Sequence, residues 1–502
     1  MKNGNNSIAC AVIASAWLMI GSQTLAAEDD PILARLMALE ENQRNLEQEL
    51  AVRDARIREL EEYLGFGESP GSHLASETVV RDPEAGTVNV QSATSVAQAE
   101  TPSRAGTLNP GGTGYRLVDT PQGTLNFSAW TYVRYLNQTG LDDDYTDSFG
   151  REFEIDIRND FQVNKVNLTF NGWLYDPAFR WLLYTWTSNT SQGESAQVVV
   201  AGNLKYRFSE ALDVGAGIDS LPGTRSTASN FPHWIKLDSR TMADDFFRPS
   251  YTTGLWSAGK LSDDFRYKLM VGNNLSQLGV NASRLDDELN TWSARLDWMP
   301  TTGEFGPAQG FDDFHMHSEL ATLFGIAGTY SEEDRQSQPG TEDINNSQIR
   351  LSDGTRIFQP GAFDTDGRIN RATYQMLAMD AGLKYQGFSL MGEYYWRWVD
   401  DFDIDGDIPE DDLFDHGFQI QSSYMFRPKS LQGYVAGSMI FGEYGEPWDT
   451  AVGINWYPFG HRLVRLNGEV LYMNDSPIGY SSIPYQVGGN GVAVHTNLEM
   501  KF

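Results

Sequence analysis

The sequence predicts a sixteen-stranded antiparallel transmembrane β-barrel, all-β apart from an N-terminal α-helical coiled coil. Three observations predict it. Between about residue 122 and Phe502, segments of eight to thirteen residues alternate apolar and polar side chains. The links joining these segments are alternately short and long. Beyond residue 27 there is no run of about 20 apolar residues from which a spanning helix could be built.

At the N-terminus, Lys2 precedes the apolar stretch "IACAVIASAWLMIG" and then "SQTLAAEDD", which reads as a secretory signal peptide over residues 1–27, cut after Ala26 or Ala27. Cys10 lies inside that stretch and is the only cysteine, so disulfides and thiol chemistry are excluded from the mature chain. Residues 31–65 carry a heptad, with Leu36, Gln43, Leu50, Ile57 and Leu64 at a and Ile32, Leu39, Leu46, Arg53 and Leu60 at d. Alternating spacings of three and four make helices wrap left-handedly. The expectation is a periplasmic coiled coil, as a rod of roughly 50 Å at 1.5 Å per residue, rather than one amphipathic helix packed on a domain. Residues 66–121, rich in Gly, Ser, Thr, Pro and Ala, read as a flexible linker.

Residues 122–502 make the barrel. "TLNFSAWTYVRYLN" sets Leu125, Phe127, Ala129, Thr131, Val133 and Tyr135 against Asn126, Ser128, Tyr132 and Arg134. "GHRLVRLNGEVLYM" sets Val464, Leu466, Val470 and Tyr472 against Arg465, Asn467 and Glu469. Period two with one apolar and one polar face marks a strand between two different environments. Sixteen such segments begin near residues 123, 163, 178, 196, 211, 253, 265, 290, 317, 373, 388, 416, 431, 448, 463 and 491. Short links such as "SEA", "QG" and "RPKS" come after the even-numbered strands, and long ones after the odd, with 300–316 the one long exception. A sandwich would hide its apolar face and needs no such asymmetry. A membrane barrel requires an even strand number, tight turns at one end, apolar residues toward lipid and polar ones toward a lumen. Trp256, Trp292, Trp298, Trp396, Trp398, Trp456 and Tyr457 near strand ends read as interfacial girdles. Sixteen strands leave room for an aqueous channel, whereas eight are filled by side chains.

The long loop after the fifth strand reads "LDSRTMADDFFRPSYTTGLWSAGKL" with "GIDSLPG" before it. This spelling resembles the phosphate-selective porin O/P family, over about residues 115–502. The resemblance implies a trimeric channel of the outer membrane for passive diffusion, with lysines and arginines at the constriction that coordinate anions such as phosphate. Positions that match are Arg225, Lys236, Arg240 and Arg248 in the third loop. Strand parity adds Arg134, Lys165, Lys205, Arg207, Arg266, Lys268, Arg295, Arg397 and Arg465 on the inward face. Asp213, Asp219, Asp297, Asp380, Glu393, Asp449, Glu469 and Glu499 also point inward, and Asp238, Asp244 and Asp245 lie in the loop. The lumen is therefore mixed. Any single one of these arginines reads first as a wall residue paired with a neighbouring carboxylate, and only second as an anion ligand.

A formal charge of −31 and no basic cluster exclude nucleic acid. Neither G-x-S-x-G nor H-E-x-x-H occurs, and the seven histidines (His73, His233, His315, His317, His416, His461 and His495) suggest no catalytic constellation, so no enzyme is expected. The stretch "DDFDIDGDIPEDD" spells D-x-D-x-D-G from Asp401, which makes Asp401, Asp403, Asp405, Asp407 and Asp412 candidate ligands for a structural calcium ion in an external loop. A solvated acidic loop is the alternative, and no other cofactor is expected. The apolar belt would meet outer-membrane lipid and lipopolysaccharide. Phe502, closing "HTNLEMKF", resembles the terminal signal read by the barrel-assembly machinery. The coiled coil would reach toward peptidoglycan, which supports a second reading: an envelope tether whose barrel is mainly an anchor.

Overall fold

The computed structural model describes residues 105–108, 114–188, 197–228, 234–276, 288–306, 309–336, 344, 346–480 and 483–502. The expected signal peptide, the coiled coil and the linker up to residue 104 lie outside the described residues, as does the whole unit Met1–Ala97. The sheet lies in the second unit, Gln98–Phe502.

Sheet structure begins slightly before the expected boundary. β1 (Tyr115–Thr120) forms a hairpin with β2 (Gly123–Leu141), so the last part of the predicted linker belongs to the barrel. A small outer hairpin, β3 (Asp144–Thr146) and β4 (Glu152–Glu154), comes after it. Next are β5 (Asn159–Leu174), β6 (Asp176–Ser188), β7 (Gln197–Ser209) and β8 (Leu212–Ser220). After two short helices, α1 (Arg225–Ala228) and α2 (Met242–Phe247), come β9 (Tyr251–Lys260), β10 (Phe265–Gly272) and β11 (Thr291–Trp298). β12 (Ala321–Asp334), β13 (Arg368–Tyr385), β14 (Phe388–Asp405) and β15 (Leu413–Arg427) run on from there. The ring ends with β16 (Leu431–Phe441), β17 (Trp448–Trp456), β18 (Val464–Asn474) and β19 (Gly491–Lys501).

β2 and β5–β19 pair antiparallel, each with its neighbours in sequence, and β19 returns to β2 with Glu499 opposite Tyr132 and Lys501 opposite Trp130. These sixteen strands form one closed barrel, so no strand edge is left open. Phe502 completes the seam: its backbone N–H and C=O both pair with Ala129 at 3.0 Å, and its ring lies 6.1 Å from that of Phe127.

The two-residue period explains why these segments are strands. Outward positions are apolar and exposed: Leu183, Val200, Leu255, Val452 and Val470 are 45 to 63% accessible. Their inward neighbours are polar and buried, among them Arg134, Arg397, Asn455 and Asn497, all at 0%. A continuous apolar outside has a large free-energy penalty in water and none in hydrocarbon, whereas every strand N–H and C=O is satisfied within the ring. Trp292, Trp298, Trp398 and Trp456 face outward, as expected of girdle residues. Trp256 and Tyr457 do not: both are buried on the inner side. Their neighbour Leu255, outward and 57% exposed, fixes the parity for Trp256. Gly215 makes room for that ring, since a Cβ there would lie 2.3 Å from Trp256 ring atoms.

The links differ in kind at the two rims. One rim has tight turns, such as Gln386-Gly387 between β13 and β14. The other carries the long loops, 221–250, 335–367 and 475–490 among them. The exception expected at 300–316 is real, and the link between β11 and β12 folds into the barrel mouth, where Phe305, Phe311 and Phe314 are buried. A wide empty lumen is therefore not what the ring encloses. An apolar cluster including Phe246, Phe247, Ile357, Phe358, Tyr395 and Ile478 fills much of the interior beneath the long-loop rim.

Candidate functional site: the barrel interior and its cavity

The 221–250 loop runs inside the barrel and packs on one wall. Three of its carbonyls are anchored by strand side chains: Asn455 Nδ2 donates to Ile235 O at 3.0 Å, Arg465 Nη1 to Trp234 O at 2.9 Å, and Arg134 Nη2 to Leu237 O at 3.2 Å. Tyr374 Oη donates to Phe247 O at 2.7 Å, and Phe247 stacks on Tyr395 with ring centroids 5.1 Å apart. α2 starts after Thr241, whose hydroxyl is taken by Gln419 rather than by a helix N–H, and Ala243 N–H is capped by Ser438 Oγ. The loop's polar backbone thus needs the inward polar residues of β13–β19 and β2. That requirement explains the conflict between an apolar loop such as "MADDFF" and a lumen of Asn, Gln, Ser and Arg.

The candidate cations fall into the same pattern. Lys165 meets Asp238 at 2.6 Å, Lys205 and Arg207 meet Asp213 at 3.3 and 2.8 Å, and Lys268 meets Asp219 at 3.0 Å. Arg295 bridges Asp297 and Asp380, both at 2.7 Å. Arg397 meets Asp415 at 2.6 Å, and Arg465 meets Glu499 at 2.7 Å. Within the loop, Arg225 lies 3.9 Å from Asp380, and its backbone N–H donates to Glu393. Lys236 sits 3.3 Å from Glu469 and 4.0 Å from Asp449, and Arg248 lies 2.6 Å from Asp245. Arg240 lies 3.8 Å from Asp245, with its guanidinium 4.2 Å above the Trp234 ring. Arg134 donates to Asn497 as well as to Leu237, and Arg266 to Gly303 O and Met299 Sδ. Most of the expected anion ligands are thus engaged with carboxylates, many of them buried. Taking a cation from such a pair for a solute would leave an uncompensated buried charge, at a cost of several kcal/mol.

The loop carboxylates separate by environment. Burial raises Asp244, which accepts from the hydroxyls of Thr224 and Ser226. Burial also opposes ionisation of Asp245, but Arg248 and Arg240 outweigh it and hold that carboxyl below its usual range.

Packing the loop on one wall leaves space on the other. A cavity of about 510 Å³ lies between the loop and the inner faces of β2 and β5–β8, roofed by the 335–367 and 475–490 loops. Inward residues there (Asn167, Thr169, Leu182, Tyr184 and Trp186) are only half-buried, whereas Gln419, Asn467 and Asn497 on the opposite wall are buried. Several aromatic rings contribute to the lining, among them Trp130, Tyr184, Trp186, Trp234, Tyr251 and Tyr480. Of the predicted cations it keeps Lys165, Arg240 and Arg248 at its surface. The others are dispersed around the barrel. Sequence reasoning missed Arg350, which lines the same cavity from the β12–β13 loop. Strand parity has nothing to say about a residue on no strand.

The calcium expectation meets a different geometry. Asp401, Asp403 and Asp405 do not sit in a turn but on β14, which pairs with β13 up to Asp405 opposite Arg368. Asp405 forms an ion pair with Arg368 at 3.3 Å, and Asp407 and Asp412 are exposed on the loop beyond. Among the described residues no three or more His, Cys, Asp or Glu side chains gather where they could hold a metal ion. β14 is irregular at Asp401 (φ 52°), where the pairing shifts register, and continues as strand through Asp405 rather than turning.

Three of the described histidines serve packing and local ties. His495 is buried against Glu469 at 3.2 Å, and His416 stacks on Phe441 at 4.9 Å. His317, in the inward-folded link, contacts Asp313 through Nδ1 and Glu304 through Nε2.

No protein-family model matches the chain, and no curated protein does. Solved structures of similar shape include an anion-selective porin from Comamonas acidovorans (10% identity, 76% of this chain and 100% of that one, TM-score 0.46). The outer-membrane channel DcaP of Acinetobacter baumannii matches at 10% identity over 78% and 100%, with TM-score 0.45. OprB of Pseudomonas putida matches at 10% over 76% and 94%, with TM-score 0.43. At this distance they add nothing to the strand count, which rests on the pairing itself.

Proposed function

We propose that the chain is an outer-membrane channel through which small hydrophilic solutes diffuse along an eccentric route on the β5–β8 side. The observation that carries this reading is the asymmetry of the interior. One wall is sealed by the 221–250 loop, and the other keeps a cavity lined by half-buried polar and aromatic side chains. The closed ring with its apolar outside suits hydrocarbon.

The paired charges argue for a passage that does not select strongly for phosphate. Cations already neutralised by Asp and Glu offer a passing anion little net attraction. A trimer, contact with lipid and lipopolysaccharide, delivery by the barrel-assembly machinery and a periplasmic coiled coil near peptidoglycan belong to the same proposal.

Recording purified protein in planar bilayers tests it. Ohmic conductance in repeated unit steps is expected, with a small reversal potential under a KCl gradient that phosphate leaves unchanged. A well-inserted barrel that passes no current would sink the reading.

The filled interior favours a second reading, in which the barrel chiefly anchors a coiled-coil tether. Deleting residues 31–65 would then alter envelope spacing in a protein without conductance.

A further inference from the structure

The charges lining the cavity balance in pairs except at one place. Lys165 is matched by Asp238 and Asp219 by Lys268, while Arg240 and Arg248 share Asp244 and Asp245. Arg350 has no such match. Its guanidinium donates to Gly354 O at 2.9 Å, and among the described residues no carboxylate forms an ion pair with it. Opposite it, across an isolated antiparallel bridge in the same loop, stands Arg356, also without a carboxylate in ion-pair contact among the described residues. Like charges directly opposite each other destabilise a strand pair.

The nearby Asp353 does not relieve this repulsion. Its oxygens accept from the backbone N–H groups of Thr355 and Ser148 instead. The arginine loop is held rigidly all the same. Arg397 Nη2 donates to Arg350 O at 2.7 Å, and Gln348 Nε2 donates to Arg248 O at 2.6 Å. Burial and the neighbouring Arg356 lower Arg350 to about 10, against the attraction of the Asp245 charge, which leaves it charged at neutral pH.

We propose that Arg350, which lines the cavity and has the charge of Arg356 beside it across the bridge, is an anion-binding site there, and that it takes a small organic acid. The carboxylate meets the guanidinium fork, and a flat apolar body lies along the ring-lined wall past Tyr480 and Trp234. The fork geometry of arginine matches a planar carboxylate through two parallel hydrogen bonds. The aromatic lining is what separates an aryl carboxylate from an inorganic anion, since rings gain by stacking on a flat apolar body and gain nothing on phosphate. Selectivity would then reside in a loop other than the 221–250 segment, held against it through Gln348.

This inference rests on the channel reading for its purpose but is tested without conduction. Purified full-length barrel in detergent is titrated with benzoate, acetate and inorganic phosphate, monitored by calorimetry and by the fluorescence of the cavity tryptophans. Benzoate is expected to bind more tightly than either other probe. Arg356→Gln, and Arg350→Gln with it, should weaken benzoate about tenfold or more, the loss of one or more good charge-assisted contacts. Arg350→Lys should fall in between, because it keeps the charge and loses the fork. Heat-modifiable mobility on gels checks that each variant keeps its barrel.

Unchanged benzoate affinity in the folded double variant overturns the proposal, and so does phosphate binding as tightly as benzoate. Conductance without benzoate binding leaves the channel standing and removes the site. Binding without conductance keeps the site and removes the channel.

Discussion

At the scale of single residues, interior charges act as structural ties. Lys236, 1% exposed in its side chain, holds Glu469 and Asp449 and donates to Tyr485 Oη at 3.1 Å. Removing one partner of a buried pair leaves the other charged and unsolvated. Lys236→Met is expected to destabilise the barrel by roughly 3–5 kcal/mol in denaturant unfolding, with part of the loss recovered when Glu469→Gln is added. Equal stability of parent and single variant would show the pair to be dispensable. His317 supplies a pH-dependent tie. Its hydrogen bond to Asp313 raises it above its ordinary value of 6.5 despite partial burial, with Asp313 and Glu304 adding charge attraction. That contribution is complete below pH 6.5 and fades as pH rises through the raised value. Asp313 is held low by His317 and by the N–H groups of His317 and Gly387, although burial opposes this. Its contribution is present above its ordinary value of 3.8 and fades as pH falls through the lowered one. The 299–320 link should therefore resist protease best between about pH 4 and 6.5. His317→Gln should flatten the alkaline side and also weaken the acid side, because it removes a group that holds Asp313 low.

At the scale of elements, what was legible in the sequence depended on whether two environments alternate. Every strand faces apolar surroundings on one side and polar packing on the other, so period two located all sixteen, from Gly123 to Gly491. The start of β13 came earlier than expected, at Arg368, because its first residues rise beyond the apolar belt and pair with Asp405 and Asp403. The 221–250 loop obeys no period, and its inward course depends on partners such as Asn455, Arg465 and Tyr374 that are hundreds of residues or several strands away. The same distance hid the site. Arg350 sits in a loop whose placement depends on Arg397, and no local pattern announces a missing carboxylate. Trp256 was misplaced because its aromatic type outweighed its parity. The acidic stretch misled in the opposite way: motif spacing suggested a turn, but β14 continues through Asp405 as strand. Added chelator is accordingly expected to leave protease cleavage within 399–415 unchanged, and faster cleavage would restore a calcium role. Replacing 225–247 by a flexible linker should raise unit conductance several-fold, because the loop covers one side of the inner wall.

At the scale of the whole molecule, a ring wide enough for an open pore is narrowed from both rims. The long loops and α2 fill it from one side, and the β11–β12 link enters from the other, where Arg225 Nη2 donates to the Gln309 carbonyl. Asp312 ties the same link to Arg462 and Gln432. Most of the cations on the inner wall are tied to carboxylates, as Lys165 is to Asp238 and Arg465 to Glu499. Solutes should therefore travel along β5–β8 and not past the sealed wall. The chain has one cysteine, Cys10, so in a Cys10→Ser background single cysteines can be introduced at Asn167 or Thr169 on the route and at Gln419 or Asn497 on the packed wall. A water-borne cationic thiosulfonate applied during bilayer recording should block current through the first pair and leave the second unaffected. Equal block at all four positions, or block confined to Gln419 and Asn497, would contradict the eccentric route.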